Sequence, residues 1–247
     1  MKTFLKVSKK AGLPPGTPIH VGERKAASVK MTVLDYDEEQ CEFRELKQVE
    51  ECFPYKDKPS TTWINIDGLH DVSLIEKIGL HFGVHPLIIE DILNTGQRPK
   101  IDIFEDFLFV VLKMHSYNDG AKKIGTEQIS LILGKNFVLS FQEKEGDIFE
   151  PLRARIKNAK GKVRKAGADY LLHSIIDSVV DNYFKVLEGI GEEIEEVEDD
   201  LIDNPTPDIV RKIHALKRES LFLRKSVWPL REVISTLERE ESSLIKK

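Results

Sequence analysis

LLHSIIDSVVDNYFKVLEGIGEEIEEVEDDL, residues 171–201, carries apolar side chains at Leu172, Ile176, Val179, Tyr183, Leu187, Ile190, Ile194, Val197 and Leu201. The steps alternate between four and three, which keeps one seam of an α-helix facing a partner. A second run repeats the pattern at Ile213, Leu216, Leu223, Val227, Leu230, Ile234 and Leu237, with Ser220 as a polar interruption. Asp203-Asn204-Pro205-Thr206-Pro207 between them stops one helix and opens the next. The spacing therefore predicts two paired antiparallel helices from about Ala168 to Glu240. At 1.5 Å per residue each would be roughly 50 Å long, too long for a compact core.

Upstream, the period changes. Residues 1–19 form an arm rich in Pro and Gly that suits neither helix nor strand. Alternation predicts strands at 29–36, 42–46, 61–66, 100–104, 107–114, 127–133 and 136–141, with Gly134-Lys135 as a two-residue hairpin turn. Short helices are expected at 49–53, after the cap Asp71, at 87–93 behind His85-Pro86, and at 147–157. Strands with helices between and after them indicate an α/β (α+β) sheet domain over 20–160, with the helical arms filling 161–247.

Composition removes several classes. The formal net charge of −5 does not suggest nucleic acid, and basic residues do not interleave with aromatics as a base-stacking platform requires. Cys41 and Cys52 have neither a CxxC partner nor zinc spacing, so they read as free thiols of a reducing compartment. Nothing resembles a signal peptide, and no run of eighteen apolar residues occurs in these 247 residues. There is no phosphate loop, no GxSxG and no HExxH, which leaves an enzyme without a nucleophile or an acid–base pair. The chain reads as a non-enzyme.

Carboxylates are the one distinctive chemical group. Asp177, Asp181, Glu188, Glu192, Glu195 and Asp199 fall on one helical stripe, where like charges at i, i+4 cost about a few tenths of a kcal/mol per pair. Two readings stay open. One is a solvated face relieved by Arg211, Lys212, Lys217, Arg218, Arg224 and Lys225 on the return arm; the other is a face that collects hydrated divalent cations such as Mg²⁺. Glu90-Asp91 sits among Ile88, Ile89, Ile92 and Leu93, so the pair is expected to be buried and in need of a partner. The two acids point about 100° apart, toward different cations or neighbours, unless Arg98 or Lys100 takes them as a structural salt bridge. Asp177 adjoins the apolar seam at Ile176, whereas His85 reads as a helix-start residue and not as a ligand.

Several segments together resemble the cytosolic domain of the CorA magnesium transporters. They are Trp63-Ile64-Asn65-Ile66, the run from His85-Pro86-Leu87 through Glu90-Asp91 to Asn94, Gln97-Arg98-Pro99-Lys100 and Ser130-Leu131-Ile132-Leu133. Phe141-Gln142-Glu143, Ala168-Asp169-Tyr170-Leu171-Leu172 and Trp228-Pro229-Leu230-Arg231-Glu232 complete the set, in the right order across nearly the whole chain. The resemblance implies an αβα sandwich with a mixed or antiparallel sheet, followed by two long antiparallel helices. It further implies a homopentameric channel for Mg²⁺, often Co²⁺ or Ni²⁺, on whose cytoplasmic face at the inner membrane this domain sits. Mg²⁺ bound between neighbouring subunits would hold the pore closed, with Co²⁺ or Ca²⁺ able to substitute. By the same resemblance Asp91 would be the principal inter-subunit ligand, with Glu90 and Asp177 at an adjacent site. The Gly-Met-Asn pore motif and both membrane helices are absent from these residues. The expectation is a soluble piece of a longer transporter, with two apolar stretches of about 20 residues beyond residue 247. A ZntB-like zinc transporter and a soluble coiled-coil scaffold are the alternatives.

Overall fold

The computed structural model describes residues 12–118, 120, 122–239 and 242–245. Of the irregular arm, residues 1–11 lie outside the described set, and 12–19 hold turns but neither helix nor strand. Seven strands follow: β1 (Lys30–Tyr36), β2 (Cys41–Leu46), β3 (Thr61–Asp67), β4 (Lys100–Ile103), β5 (Leu108–Asn118), β6 (Lys123–Leu133) and β7 (Phe137–Gln142). They make one sheet in the order β2-β1-β3-β7-β6-β5-β4, antiparallel throughout except between β3 and β7. β7 is buried along its whole length. That is why it reads as a nearly continuous apolar run.

Alternation sends the side chains of each strand into two different cores. Ile64, Ile66, Phe109, Val111, Ile132 and Leu139 face a 3-10 helix (Val49–Lys56), α1 (Val72–His81) and α2 (Pro86–Ile92). Trp63, Leu108, Val110, Leu112, Ile129, Leu131 and Val138 face α3 (Glu150–Lys157) and the root of α4 (Ala168–Asp203). Leu230 and Val233 of α5 (Pro207–Arg239) close the second core, so the arm's root is part of the sandwich. The result is helix, sheet, helix, with α4 running on for about 54 Å at 1.5 Å per residue.

From the sheet outward the arms pair along strict sevens. Ile176, Tyr183, Ile190 and Val197 form one buried row on α4, and Ile209, Leu216, Leu223 and Leu230 answer on α5. Leu187, Ile194 and Leu201, expected in the seam, are 50%, 39% and 44% exposed. Two helices without a third layer bury only a narrow stripe. Val186 and Gly189 face inward in their place, because a wing of the sheet reaches the arm there.

That wing is longer than the apolar pattern announced. β5 and β6 run to residue 118 and from residue 123, with Tyr117 paired to Ile124. Both pack against the distal α4–α5 core. Gly189 has no Cβ because the Tyr117 ring fills that space. Tyr117 donates to Glu193 at 3.2 Å, and Lys122 pairs with Glu196. Where β4 ends, the open edge of β5 is covered by α4: Tyr183 Oη–H donates to the Lys113 carbonyl at 2.5 Å, and Asn182 to that of His115. An uncovered edge would invite pairing with another chain.

Two local expectations shift. The β6–β7 turn is Lys135-Asn136, one residue later than expected, since Gly134 N–H still donates to the Phe137 carbonyl at 2.9 Å. Gly134 is required by space: a Cβ there would overlap the Phe137 ring. Helix α3 starts at Glu150 and not at 147. Asp147 instead accepts from Phe149 N–H and forms a two-pronged ion pair with Arg153, which holds it outside the helix.

Candidate metal centre

α2 is set by its first residues. His85 Nδ1 accepts from Leu87 N–H at 3.2 Å, and Pro86 begins the helix where no donor is needed. Ile88, Ile89 and Ile92 are buried, and α1 comes close because Gly79 lacks the Cβ that would stand 2.7 Å from Ile89 Cδ1. The acids therefore occupy the outer face of the same short helix. Glu90 and Asp91 are half-buried at the rim, not buried among the isoleucines as their sequence neighbours suggested.

Each carboxylate is already engaged by its own chain. Glu90 accepts the Gly16 N–H at 2.7 Å. The segment carrying Gly16 is tied down where Val21 N–H donates to the Leu93 carbonyl at 2.9 Å and Thr95 N–H to that of Val21 at 3.1 Å. Leu13, Pro14, Pro15 and Thr17 from that segment join Leu87, Glu90 and Asp91 around an open cleft of about 500 Å³. Asp91 Oδ2 accepts from Lys100 Nζ at 2.7 Å, and the same ammonium donates to Asp102 at 2.6 Å. Lys100, at the start of β4, is thus the salt-bridge partner. Burial pulls its pKa down, but the hydrogen bonds to Asp102 and Asp91 outweigh that and hold it above the ordinary lysine value.

The loop behind α2 is pinned from the sheet. Gln97 Nε2 donates to the Asp91 carbonyl at 3.0 Å, Gln128 Nε2 to that of Asn94 at 3.0 Å, and Lys113 Nζ to that of Thr95 at 2.8 Å. The two acids thus stand on a braced platform.

Asp177 lies elsewhere. It is exposed on α4, whose root packs on the opposite face of the sheet from α2. The structure brings Glu90 and Asp91 together and leaves Asp177 on the other layer. Among the described residues no group of three or more His, Cys, Asp or Glu side chains is placed to hold a metal within one chain. On the acidic stripe's arm, Lys212 reaches Asp200 at 2.9 Å, whereas Arg211 pairs with Asp208 on its own helix.

Buried polar groups were invisible as spacing. Gln142 Nε2 reaches Asn65, Asp67 and Asp147 within the second core, where burial pushes the Asp67 pKa up to about 6. Glu143 accepts Gln128 N–H at 2.7 Å and pairs with Lys25 at 2.8 Å. Burial pushes Glu127 up to about 7 and, with Lys113 helping, His115 down to about 4. The only sequence trace was a polar residue at an inward position of an otherwise apolar strand, as at Asn65 and Gln142.

Comparison with known proteins shows the family of the chain. A family described as CorA-like Mg²⁺ transporter protein matches residues 59–247. The chain belongs to the CorA family. A cobalt/magnesium transport protein CorA of Thermotoga maritima is 47% identical over 98% of this chain, which spans 69% of that protein. The putative metal ion transporter YfjQ of Bacillus subtilis is 27% identical over 70% of the chain, which spans about half, 52%, of that relative. The soluble domain of CorA from Methanocaldococcus jannaschii shares the fold, with a TM-score of 0.69 at 18% identity, covering 89% of this chain and 82% of that one. The ZntB cytoplasmic domain from Vibrio parahaemolyticus is similar in fold at a TM-score of 0.63 and 15% identity, over 87% and 82% of the two chains. No described helix of this CorA-family chain is long and apolar enough to cross a membrane.

Proposed function

We propose that the chain is the cytosolic, Mg²⁺-sensing part of a CorA-type transporter for Mg²⁺ and related divalent ions, at the cytoplasmic face of the membrane. What carries this reading is the 47% identity, across almost the whole chain, to a protein named for cobalt and magnesium transport. In the full-length protein, a homopentamer by the family resemblance, Asp91 is the main ligand between neighbouring subunits. Glu90 and Asp177 are the ligands of an adjacent site. The geometry supports a site shared between copies: the acids of α2 point outward, and Asp177 stands on the other layer of the same molecule. Carboxylates contacting a largely hydrated hard cation suit Mg²⁺, with affinity on the order of millimolar. Ion binding across subunits would then close the pore, and loss of internal Mg²⁺ would release it. The paired arms alone would equally suit a scaffold; family membership is what favours transport.

Calorimetric titration of the chain with Mg²⁺ tests the ligand assignment. Weak binding is expected for the native chain and its loss in Asp91→Ala. Identical isotherms would remove Asp91 from the ligand set. Uptake assays on the full-length protein with Mg²⁺, Co²⁺ and Zn²⁺ decide the cargo.

A further inference from the structure

The Asp91 carboxylate is occupied by a side chain of its own molecule. Lys100 Nζ lies 2.7 Å from Asp91 and 2.6 Å from Asp102, and it stands 5.3 Å from the centre of the Phe109 ring. The placement is built into β4, where residues two apart project on the same side of the strand. Lys100 and Asp102 are such a pair, with Asp91 arriving from α2. A lysine ammonium is a compact, strongly hydrated point charge. It meets carboxylate oxygens much as a small metal cation does, at half the charge of Mg²⁺.

We propose that Lys100 is a tethered competitor for the divalent ion at Asp91. It fills the site in the ion-free molecule, swings aside onto Asp102 when the ion enters, and so sets the site's affinity. This rests on the reading of Asp91 as a ligand. Asp102 is what makes the exchange feasible, because the displaced ammonium keeps one carboxylate partner and is never left unpaired. Without Asp102, displacement would strand a half-buried charge. A neighbouring charge shifts a carboxylate's affinity for a proton by about one to three powers of ten. Removing the Lys100 charge should therefore tighten divalent binding by roughly tenfold or more.

Mn²⁺ is a suitable probe, because paramagnetic broadening of amide resonances reports where it binds. The comparison takes the native chain, Lys100→Met, Lys100→Arg, and Lys100→Met combined with Asp91→Asn. Met retains the apolar cover over Phe109, and Lys100→Gln replaces it if the spectrum shows a disturbed fold. Signals of residues 88–93 should broaden at roughly a tenth of the native Mn²⁺ concentration in Lys100→Met. They should behave as native in Lys100→Arg and lose the effect in the double variant. Broadening along the acidic run 192–200 gives the reference for non-specific binding. Equal sensitivity in the native chain and Lys100→Met, with Asp91→Asn still abolishing it, overturns the competitor role and leaves Asp91 a ligand. Broadening at 88–93 that survives Asp91→Asn, or none in any variant, overturns the ligand reading and the competitor with it.

Discussion

Glu127 and His115 are buried on neighbouring positions of the β5–β6 ladder, at 5% and 0% exposure, and each has a polar atom with no hydrogen-bond partner among the described residues. Their pKa values move in opposite directions for one reason, burial of the charged form. Glu127 is raised from 4.5 to about 7, so its stabilising contribution is full below about pH 4.5 and lost as pH rises through 7. His115 is lowered from 6.5 to about 4, so its contribution is present above about pH 6.5 and lost as pH falls through 4. The two slopes oppose each other over nearly the same window. Relative to the native chain, Glu127→Gln should gain stability as pH rises from 4.5 to 7, reaching up to about 3 kcal/mol at 1.36 kcal/mol per pKa unit. His115→Gln should lose stability relative to the native chain as pH rises over its own window. Chemical denaturation of both variants at pH 5 and pH 8 measures this; parallel shifts at both pH values would contradict it. Gly134 makes a purely steric case. Gly134→Ala should cost about 1–3 kcal/mol, because the new methyl drives Phe137 from its place against Phe82. A denaturation midpoint matching that of the native chain would show that the ring moves freely.

Elements were legible where periodicity belonged to one partner, and less so where two distant elements shared the work. That α4 and α5 are two long paired helices was readable from the chain, as were β3 and β7 as strands; the seam was only half right, since Leu187, Ile194 and Leu201 on α4 and Ile213, Val227 and Ile234 on α5 are exposed. The ends of β5 and β6 were not readable, because Tyr117 and Ile124 find their partners on the far arm and Thr126 meets His115 across the hairpin. Asp147 looked like the start of α3 until Arg153 and Gln142 claimed its oxygens. At the site, the Glu90-Asp91 pair and its Lys100 alternative were in plain view. The Gly16 contact was not, since it spans 74 positions. The side of the sheet on which Asp177 falls needed the topology. The wing also has a mechanical consequence for the arm. Tyr117→Ala would open the space beside Gly189 and release Glu193, so amides of α4 between 186 and 197 should exchange about tenfold faster or more. Those of β3 and β7 should keep their protection. Uniform loss of protection over the whole chain would mean that the wing stabilises the fold globally and does not brace the arm.

At the scale of the whole molecule, the decisive fact is that one copy cannot present all three proposed ligands to one ion. Glu90 and Asp91 stand on the outer face of α2, Asp177 on the exposed face of α4, and the sheet lies between the two helices. An ion that touches both sets must join two copies. Each copy carries a formal net charge of −5, so association in the absence of ions works against like-charge repulsion that screening only partly relieves. A divalent cation shared at the contact removes repulsion at the point where the copies meet. Mg²⁺ in the millimolar range should therefore shift the chain toward larger species in sedimentation velocity, beyond what NaCl of equal ionic strength produces. Asp91→Asn and Asp177→Asn should each blunt the shift, although they sit on opposite layers of the monomer. If Mg²⁺ and NaCl act alike, the ion is not a bridge between copies of this chain. If Asp91→Asn blunts the shift and Asp177→Asn does not, the bridging site is built from α2 and a neighbouring surface other than the arm.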